Sequence, residues 1–437
     1  MRIGFECSHL DPTHTGLYTY CSQLLWHLAR ADDRPDIVLL DVLRHVSRQD
    51  VLKVSENLPP TARYVPVRPL PFVRALPGPW HKRYIGRVAR LTDDYLLASV
   101  WDYLEHARAT GEGLARWRLP RRLAGDLDVC HWPFEDAAIF RIPGAAHVVT
   151  IHDVLVLRFP DVLNPGYVTA RTRRLQAIAR HATRIIADSD NTRRDAINLL
   201  GIAAERIDVI PLAADPALRP PEDRAVQENT LGRYGLRDQD YILYVGKIEP
   251  RKNVVRLATA FKAVIAQAPD LTTRLVLAGS SRGLPDPTYR ALQELGLGGR
   301  LLMPGRVPSE DLPALLHGAR AVAYVSLYEG FGLPPLEAMA CGTPVVASNT
   351  SSIPEVVGNA GLLVDPYDVA AIAAALHRVL TDDALRTDLA ARSLRRATHF
   401  SWAKTAELTL ESYRAALAHR RRADHSIQRA GRPAPCA

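Results

Sequence analysis

Short apolar runs recur along the chain, each followed by a longer stretch of helical periodicity, and this alternation predicts parallel strands covered by helices. The first series opens at residues 1–5 and continues through 37–40, 147–151, 184–187 and 208–211. A second series comprises 241–245, 274–278, 301–303, 321–326 and 345–347. Between them the segment 212–221 contains Pro216, Pro220 and Pro221, which interrupt helices and mark an interdomain linker. The pattern gives an α/β chain with doubly wound parallel-sheet domains at 1–212 and 222–400, a final amphipathic stretch at 401–418 and a basic, disordered tail at 419–437. A chain of 437 residues suits two cores of ordinary size.

The most informative stretch is 329–348, EGFGLPPLEAMACGTPVVAS. The apolar run 321–327 before it reads as a buried strand, and Gly330 and Gly332 allow a sharp turn where a side chain would obstruct a ligand. Pro334 and Pro335 suit a first helical turn, Gly342 ends the helix, and 345–348 forms the next strand. A helix N-terminus beside a glycine loop presents N–H groups and a positive dipole end to a diphosphate. Glu329 precedes the turn and Glu337 lies inside the helix, so the carboxylates can face one ligand at two levels, one on a sugar and the other on ribose hydroxyls. On pattern alone, an ordinary parallel-sheet unit with two solvated glutamates fits equally well.

This run resembles the signature of retaining, nucleotide-sugar-dependent glycosyltransferases of family four, and EPRKN at 249–253 together with TIHD at 150–153 resembles the mannosyl- and rhamnosyl-transferring members. The resemblance implies the GT-B fold: two Rossmann-like domains facing a central cleft, the first binding the acceptor and the second the nucleotide sugar, with the 401–418 helix closing the first. It further implies that Glu329 positions the sugar, that Glu337 binds ribose, and that Gly330, Phe331, Gly332 and Leu333 border the donor. The segment 244–253, YVGKIEPRKN, looks like the family segment whose basic residues hold the diphosphate. Lys252 matches the family's lysine, Arg251 stands next to it, and Gly246 opens the loop. Lys247 departs from the arginine found there in many members, which removes a bidentate phosphate grip at that point. The segment 302–310, with Arg306 and Val307, resembles the part whose backbone meets the nucleobase, and Ser309 and Glu310 are candidates for base selection.

In the first domain, THTGLYTY at 13–20 places Gly16 where the family has a glycine loop opening the first helix, although a plain strand-to-helix turn accounts for it as well. The run VVTIHD at 148–153 ends a buried strand in a polar pair, at the strand end where open α/β sheets bind ligands. His152 matches the family histidine that approaches the transferred sugar, and Asp153 is a candidate acceptor contact. In ADSDNTRR at 187–194, Ser189 or Asp190 is better read as a helix cap than as a ligand group.

The reaction so implied moves a hexose from a nucleotide-diphosphate sugar, GDP-mannose favoured over a UDP-sugar, to a hydroxyl of a glycan, lipid-linked or small-molecule acceptor. No metal site and no cofactor beyond the donor is expected, so Lys252, Arg251 and the helix N-terminus near Gly332 take the electrostatic role. A sugar-nucleotide 2-epimerase of the same fold and a non-catalytic sugar-nucleotide-binding protein are the alternatives. Composition adds little against this: 47% hydrophobic and 23% charged residues fit a globular protein. Cys7, Cys21, Cys130, Cys341 and Cys436 lack paired metal spacing and read as buried or free thiols. Residues 1–5 lead straight into a strand without a signal-peptide pattern, which predicts a cytoplasmic location. The formal net charge of +8 is concentrated partly in 63–90, where Arg63, Arg68, Arg74, Lys82, Arg83, Arg87 and Arg90 stand without an acid among Phe72, Trp80 and Tyr84. That stretch is either a solvated loop or a peripheral contact with an anionic membrane at its inner face. No recognition motif accompanies it that would indicate nucleic acid.

Overall fold

A computed structural model of the chain describes residues 1–7, 10, 15–33, 35–41, 63–66, 68–69, 117–118, 127–135, 142, 144–280 and 287–430. Two compact units emerge: Met1–Asp188 with Arg193–Ile210 and Trp402–Ala437, and Ser189–Thr192 with Pro211–Ser401. Most of the basic stretch 63–90 lies outside the described residues, as does Cys436. The other four cysteines are buried.

In the first unit, strands β1 (Arg2–Glu6), β2 (Asp36–Asp41) and β3 (Arg63–Pro66) run outward in one direction. The chain then passes a short antiparallel pair, β4 (Arg68–Pro69) and β5 (Trp117–Arg118). It returns beside β1 as β6 (Val129–Trp132), β7 (Ala146–Ile151), β8 (Arg184–Ala187) and β9 (Ile207–Val209). The sheet order is therefore β3-β2-β1-β6-β7-β8-β9, with the switch of direction between β1 and β6. Its central strands are buried at nearly every position because helices cover both faces; Ile3, Phe5, Val148, Val149 and Ile185 are all inaccessible to solvent.

The second unit repeats the plan with β10 (Tyr241–Val245), β11 (Arg274–Ala278), β12 (Leu301–Gly305), β13 (Ala321–Tyr324), β14 (Val345–Ser348) and β15 (Gly361–Val364). Their order is β12-β11-β10-β13-β14-β15, so the switch falls between β10 and β13. Crevices outside the carboxyl ends of the strands at such switch points are where open α/β sheets bind ligands.

The fold is the expected α/β one, with instructive differences at the ends of elements. Strand β9 stops at Val209 rather than 211, since Pro211 has no N–H to donate. Strand β12 runs to Gly305 through Pro304, which an edge strand tolerates. Strands β3, β6 and β15 and the short pair β4 and β5 add to the expected set; β6 is four residues holding a cysteine and a histidine, too short and too polar for an apolar-run reading. The last helix, Trp402–Ala430, continues past 418, so 419–430 carry helical backbone where a disordered tail was expected. Trp402, Ala406, Leu410, Tyr413 and Ala416 form its buried stripe at three- and four-residue spacing, and it packs in the first unit on the helix Thr15–Leu28 and on β7 and β8. No helix among the described residues is long and apolar enough to cross a membrane.

Candidate active site

The loops leaving β10 and β13 meet at the switch point of the second unit. Gly246 opens the first at φ 148, and a Cβ there would stand 2.9 Å from the Tyr244 hydroxyl, so only glycine fits. Pro250 then starts a tight turn over Pro250–Lys252, and Asn253 takes a left-handed φ of 60 before the helix Val254–Gln267. Buried Asn253 compensates with its side-chain amide, which donates to the carbonyls of Val325 and Pro366 at 3.0 and 2.7 Å. The Arg251 carbonyl accepts from the Leu327 N–H at 2.9 Å, which ties this loop to the one after β13. In that second loop Gly332, at φ 116, caps the helix Leu333–Ala340, with prolines in its first turn. Gly330 is buried but does not adopt a positive φ, so the sharp turn expected at both glycines rests on Gly332.

These two loops bring Glu329, Lys252 and Arg251 together. Lys252 Nζ donates to Glu329 Oε1 at 2.7 Å and to the Tyr324 hydroxyl at 2.6 Å, and lies 5.1 Å from the centre of the Tyr324 ring. Arg251 donates to Glu329 Oε2 at 3.0 Å, to the Tyr328 carbonyl at 2.8 Å and, through two nitrogens, to Glu249 Oε1 at 2.8 and 3.2 Å. Burial opposes the charge on Glu329, but the Arg251 and Lys252 cations outweigh it and hold its pKa at about 2. Lys252 is drawn below its ordinary value by burial and by Arg251, against the pull of Glu329. Glu337, half-buried in the helix Leu333–Ala340, has no such cation. Burial and the neighbouring Asp215 carboxylate push it up to about 7.

The remaining candidates of this unit are more open. Lys247 and Arg306 are exposed and Val307 half-buried at the ends of β10 and β12. Ser309 and Glu310 are exposed in the turn Ser309–Asp311. Phe331 is buried edge-on against Phe400, and Leu333 begins the helix. Ser189 is a cap, accepting from the Thr192 N–H at 3.1 Å.

In the first unit Gly16 lies within the first turn of the helix Thr15–Leu28 and is exposed, without the positive φ of a loop glycine. His152 follows β7. Its Nδ1 lies 2.6 Å from Asp188 Oδ2 at the end of neighbouring β8, and its Nε2 2.9 Å from the Pro133 carbonyl after β6. Burial works against a charged ring, yet Asp188, Glu135 and the Pro133 carbonyl together raise His152 to about 9, so both nitrogens carry protons. Asp153 accepts from the Leu155 N–H at 3.0 Å and from Arg171 at 3.3 Å; buried Arg171 also pairs with Glu135. Beneath lies a neutral chain: Tyr413 hydroxyl, His131, Thr150 and Tyr20, joined at 2.7, 2.9 and 2.9 Å. Burial, with His152 nearby, lowers His131 to about 3.

One Asp-x-Asp triplet does follow a strand, Asp188-Ser189-Asp190 after β8, and it bears on the expectation of no metal site. Asp188 is buried and committed to His152, whereas Asp190 is exposed at the start of the helix Asp190–Leu200. Among the described residues no group of three or more His, Cys, Asp or Glu is arranged to hold a metal ion. Sequence reasoning passed over Asp188, Glu249, Tyr324, Arg171 and Asp215. Two of these left a signal: Asp188 ends the strand-like run at 184–187 as His152 ends its own, and Tyr324 puts a hydroxyl into an aliphatic run where it must find a partner.

Residues 227–396 match the family described as glycosyl transferases group 1, and residues 97–218 match glycosyltransferase family 4. The O-antigen chain mannosyltransferase B of Escherichia coli is 39% identical over 268 residues, 61% of this chain and 70% of that protein. The D-inositol 3-phosphate glycosyltransferase of Nocardia farcinica (strain IFM 10152) is 33% identical over 314 residues, 68% of each chain. Among solved structures, the sucrose-phosphate synthase from Thermosynechococcus elongatus superposes with a TM-score of 0.65 at 22% identity, covering 96% of this chain and 99% of that one. Anabaena HepE, in complex with UDP and glucose, superposes with a TM-score of 0.64 at 19% identity, covering 94% and 99%. These two structures share the fold.

Proposed function

The chain belongs to glycosyltransferase family 4 and is a glycosyltransferase, and from that premise we propose that it moves a hexose, mannose from GDP-mannose before any UDP-sugar, to a hydroxyl of a growing glycan with retention of configuration. The observation that carries this reading is the Glu329–Lys252 pair set at the switch point beside the helix N-terminus at Gly332. An ammonium group and a helix N-terminus carried by adjoining loops suit a departing diphosphate. A carboxylate that two cations keep ionised suits the positive charge that develops at the anomeric carbon. In the proposed reaction the bond from that carbon to the diphosphate oxygen breaks, the acceptor oxygen bonds on the same face, and its proton passes to the leaving phosphate. Glu337 receives the ribose hydroxyls, and the backbone near Arg306 and Val307 receives the base. His152, its two N–H groups kept by Asp188 and the Pro133 carbonyl, contacts the sugar or its acceptor through its charged ring, with Asp153 on the acceptor side. Lys252 and the helix end take the place of a metal ion, and no cofactor beyond the donor is used. The mannosyltransferase name of the Escherichia coli relative supports the choice of sugar. The HepE complex is the reason to keep UDP-glucose in the test.

The test is nucleotide release from GDP-mannose, UDP-glucose, UDP-N-acetylglucosamine and dTDP-rhamnose, with product analysis, in the presence and absence of excess chelator. Release from GDP-mannose that persists in chelator is the expected result. Release from another donor alone would replace mannose. Conversion of a donor to its epimer would make the protein an epimerase. Activity lost in chelator and restored by manganese or magnesium would overturn metal independence.

A further inference from the structure

Arg251 and Lys252 are neighbours in sequence and both donate to Glu329, yet only Arg251 also reaches a second carboxylate, Glu249. Lys252 has three N–H groups and gives two to the protein, Tyr324 at 2.6 Å and Glu329 at 2.7 Å, which leaves the third for a ligand oxygen. Arg251 gives four of its five N–H groups to protein acceptors: Nε and one terminal nitrogen to Glu249, and both N–H groups of the other terminal nitrogen to Glu329 and the Tyr328 carbonyl. Its backbone is fixed as well, since its carbonyl accepts from Leu327 N–H at 2.9 Å and Ser326 Oγ at 3.2 Å. Arg251 and Glu249 are both largely shielded, with side-chain exposures of 16% and 17%. The planar fork therefore bridges two carboxylates on two loops, a geometry that an ammonium group cannot reproduce.

We propose that Glu249 and Arg251 are positioning residues: Glu249 anchors the Arg251 fork, the fork fixes the second oxygen of Glu329, and the diphosphate is gripped by Lys252. The inference rests on the proposed function for its catalytic meaning. With Oε1 held by Lys252 and Oε2 by Arg251, the Glu329 carboxylate cannot rotate, and it meets developing charge without reorganising. Glu249 touches neither Glu329 nor a ligand in this scheme and acts only through Arg251.

The experiment compares Glu249→Gln, Arg251→Lys, their double variant and Lys252→Ala by urea unfolding, by calorimetric binding of GDP and of UDP, and by donor kinetics. Lys252→Ala should weaken nucleoside diphosphate binding by roughly tenfold or more. Glu249→Gln and Arg251→Lys should change that binding by less than about threefold while lowering kcat by roughly tenfold, with KM nearly constant. The double variant should lose about as much kcat as Arg251→Lys alone, because the two act in series. Arg251→Lys weakening GDP or UDP binding as much as Lys252→Ala would make Arg251 a phosphate ligand and overturn the proposal. So would a double variant whose loss is the product of the single losses. If the wild-type protein binds neither nucleotide and transfers no sugar, the functional reading fails by itself. Unfolding energies of Glu249→Gln, Glu329→Gln and their double variant then decide the linkage, non-additive values upholding it and additive ones overturning it.

Discussion

In the second unit Glu329 and Glu337 come from one short motif, yet their carboxyls settle at about 2 and about 7. In the first unit His152 and His131 stand near one another and settle at about 9 and about 3. Burial acts on all four groups and in each favours the neutral form. What separates the members of each pair is the company of opposite charge: Arg251 and Lys252 for Glu329, Asp188 for His152. Glu337 has an acid beside it, and His131 has only hydroxyls as hydrogen-bond partners and a charged histidine close by. The two units differ in how the charge is contained. The second balances Glu249 and Glu329 against Arg251 and Lys252 within two loops, while the first sets the His152–Asp188 pair, with Arg171 paired to Glu135 and Asp153, above a neutral chain that spans residues 20 to 413.

The sharpest way to break this comparison is Glu329→Ala, which removes the carboxylate that both cations serve. Turnover should fall by about two to three orders of magnitude, the usual loss for one preorganised electrostatic group. A variant keeping more than a third of wild-type turnover would show that the balanced cluster is not the reacting one.

Asp188→Asn tests the first unit in the same way. Removing one partner of a buried pair should cost roughly 3 kcal/mol of unfolding free energy near pH 6. His152 sits above its ordinary 6.5, so the pair's stabilisation is fully present below pH 6.5 and is lost as pH rises through about 9. The gap between wild type and variant, read from urea curves, should therefore close across that window. An equal gap at pH 6 and pH 9.5 would mean that His152 is not held as a cation.

Tyr324→Phe sharpens the account of the second unit, because it keeps the ring stacked on Tyr244 at 5.8 Å and deletes only the hydroxyl that Lys252 meets. A buried donor losing one acceptor costs about 1 kcal/mol, so donor KM should rise roughly fivefold with a smaller change in kcat. Unchanged KM would place the ammonium group under the control of Glu329 alone.

The smallest effect concerns Glu337. Its pKa of about 7 lies above the ordinary carboxyl value, so its contribution to stability is present at acid pH and is lost as pH rises through 7. Ribose hydroxyls favour the ionised form as acceptor. GDP affinity should accordingly tighten by up to about tenfold between pH 6 and pH 8 in the wild type and stay flat in Glu337→Gln. A pH-independent wild type would remove Glu337 from the nucleotide site.

Much of this was legible in the chain. The strand-like runs at 184–187, 241–245 and 274–278 became β8, β10 and β11 with the same ends, since a buried parallel strand reads as a near-continuous apolar run. Gly246, Gly332 and the adjacent prolines announced their loops because backbone geometry there admits few residue types. The motif residues Glu329 and Lys252 were legible too, although nothing in the sequence spacing told that Lys252 and Glu329 would be 2.7 Å apart.

What the sequence determined by itself is therefore local: the period of each element, its stops, and the residue types able to carry charge in each loop. Tertiary structure decided which of those charges are real in the folded chain. Glu249 differs from a solvated glutamate only because the Arg251 fork is bent back onto it, and Asp188 from a helix-start aspartate only because β8 lies against β7. The Tyr413, His131, Thr150 and Tyr20 chain exists because the last helix packs on β7 and on the first helix. Solvation and Coulomb energies depend on distance in space, and sequence separation fixes that distance only within an element.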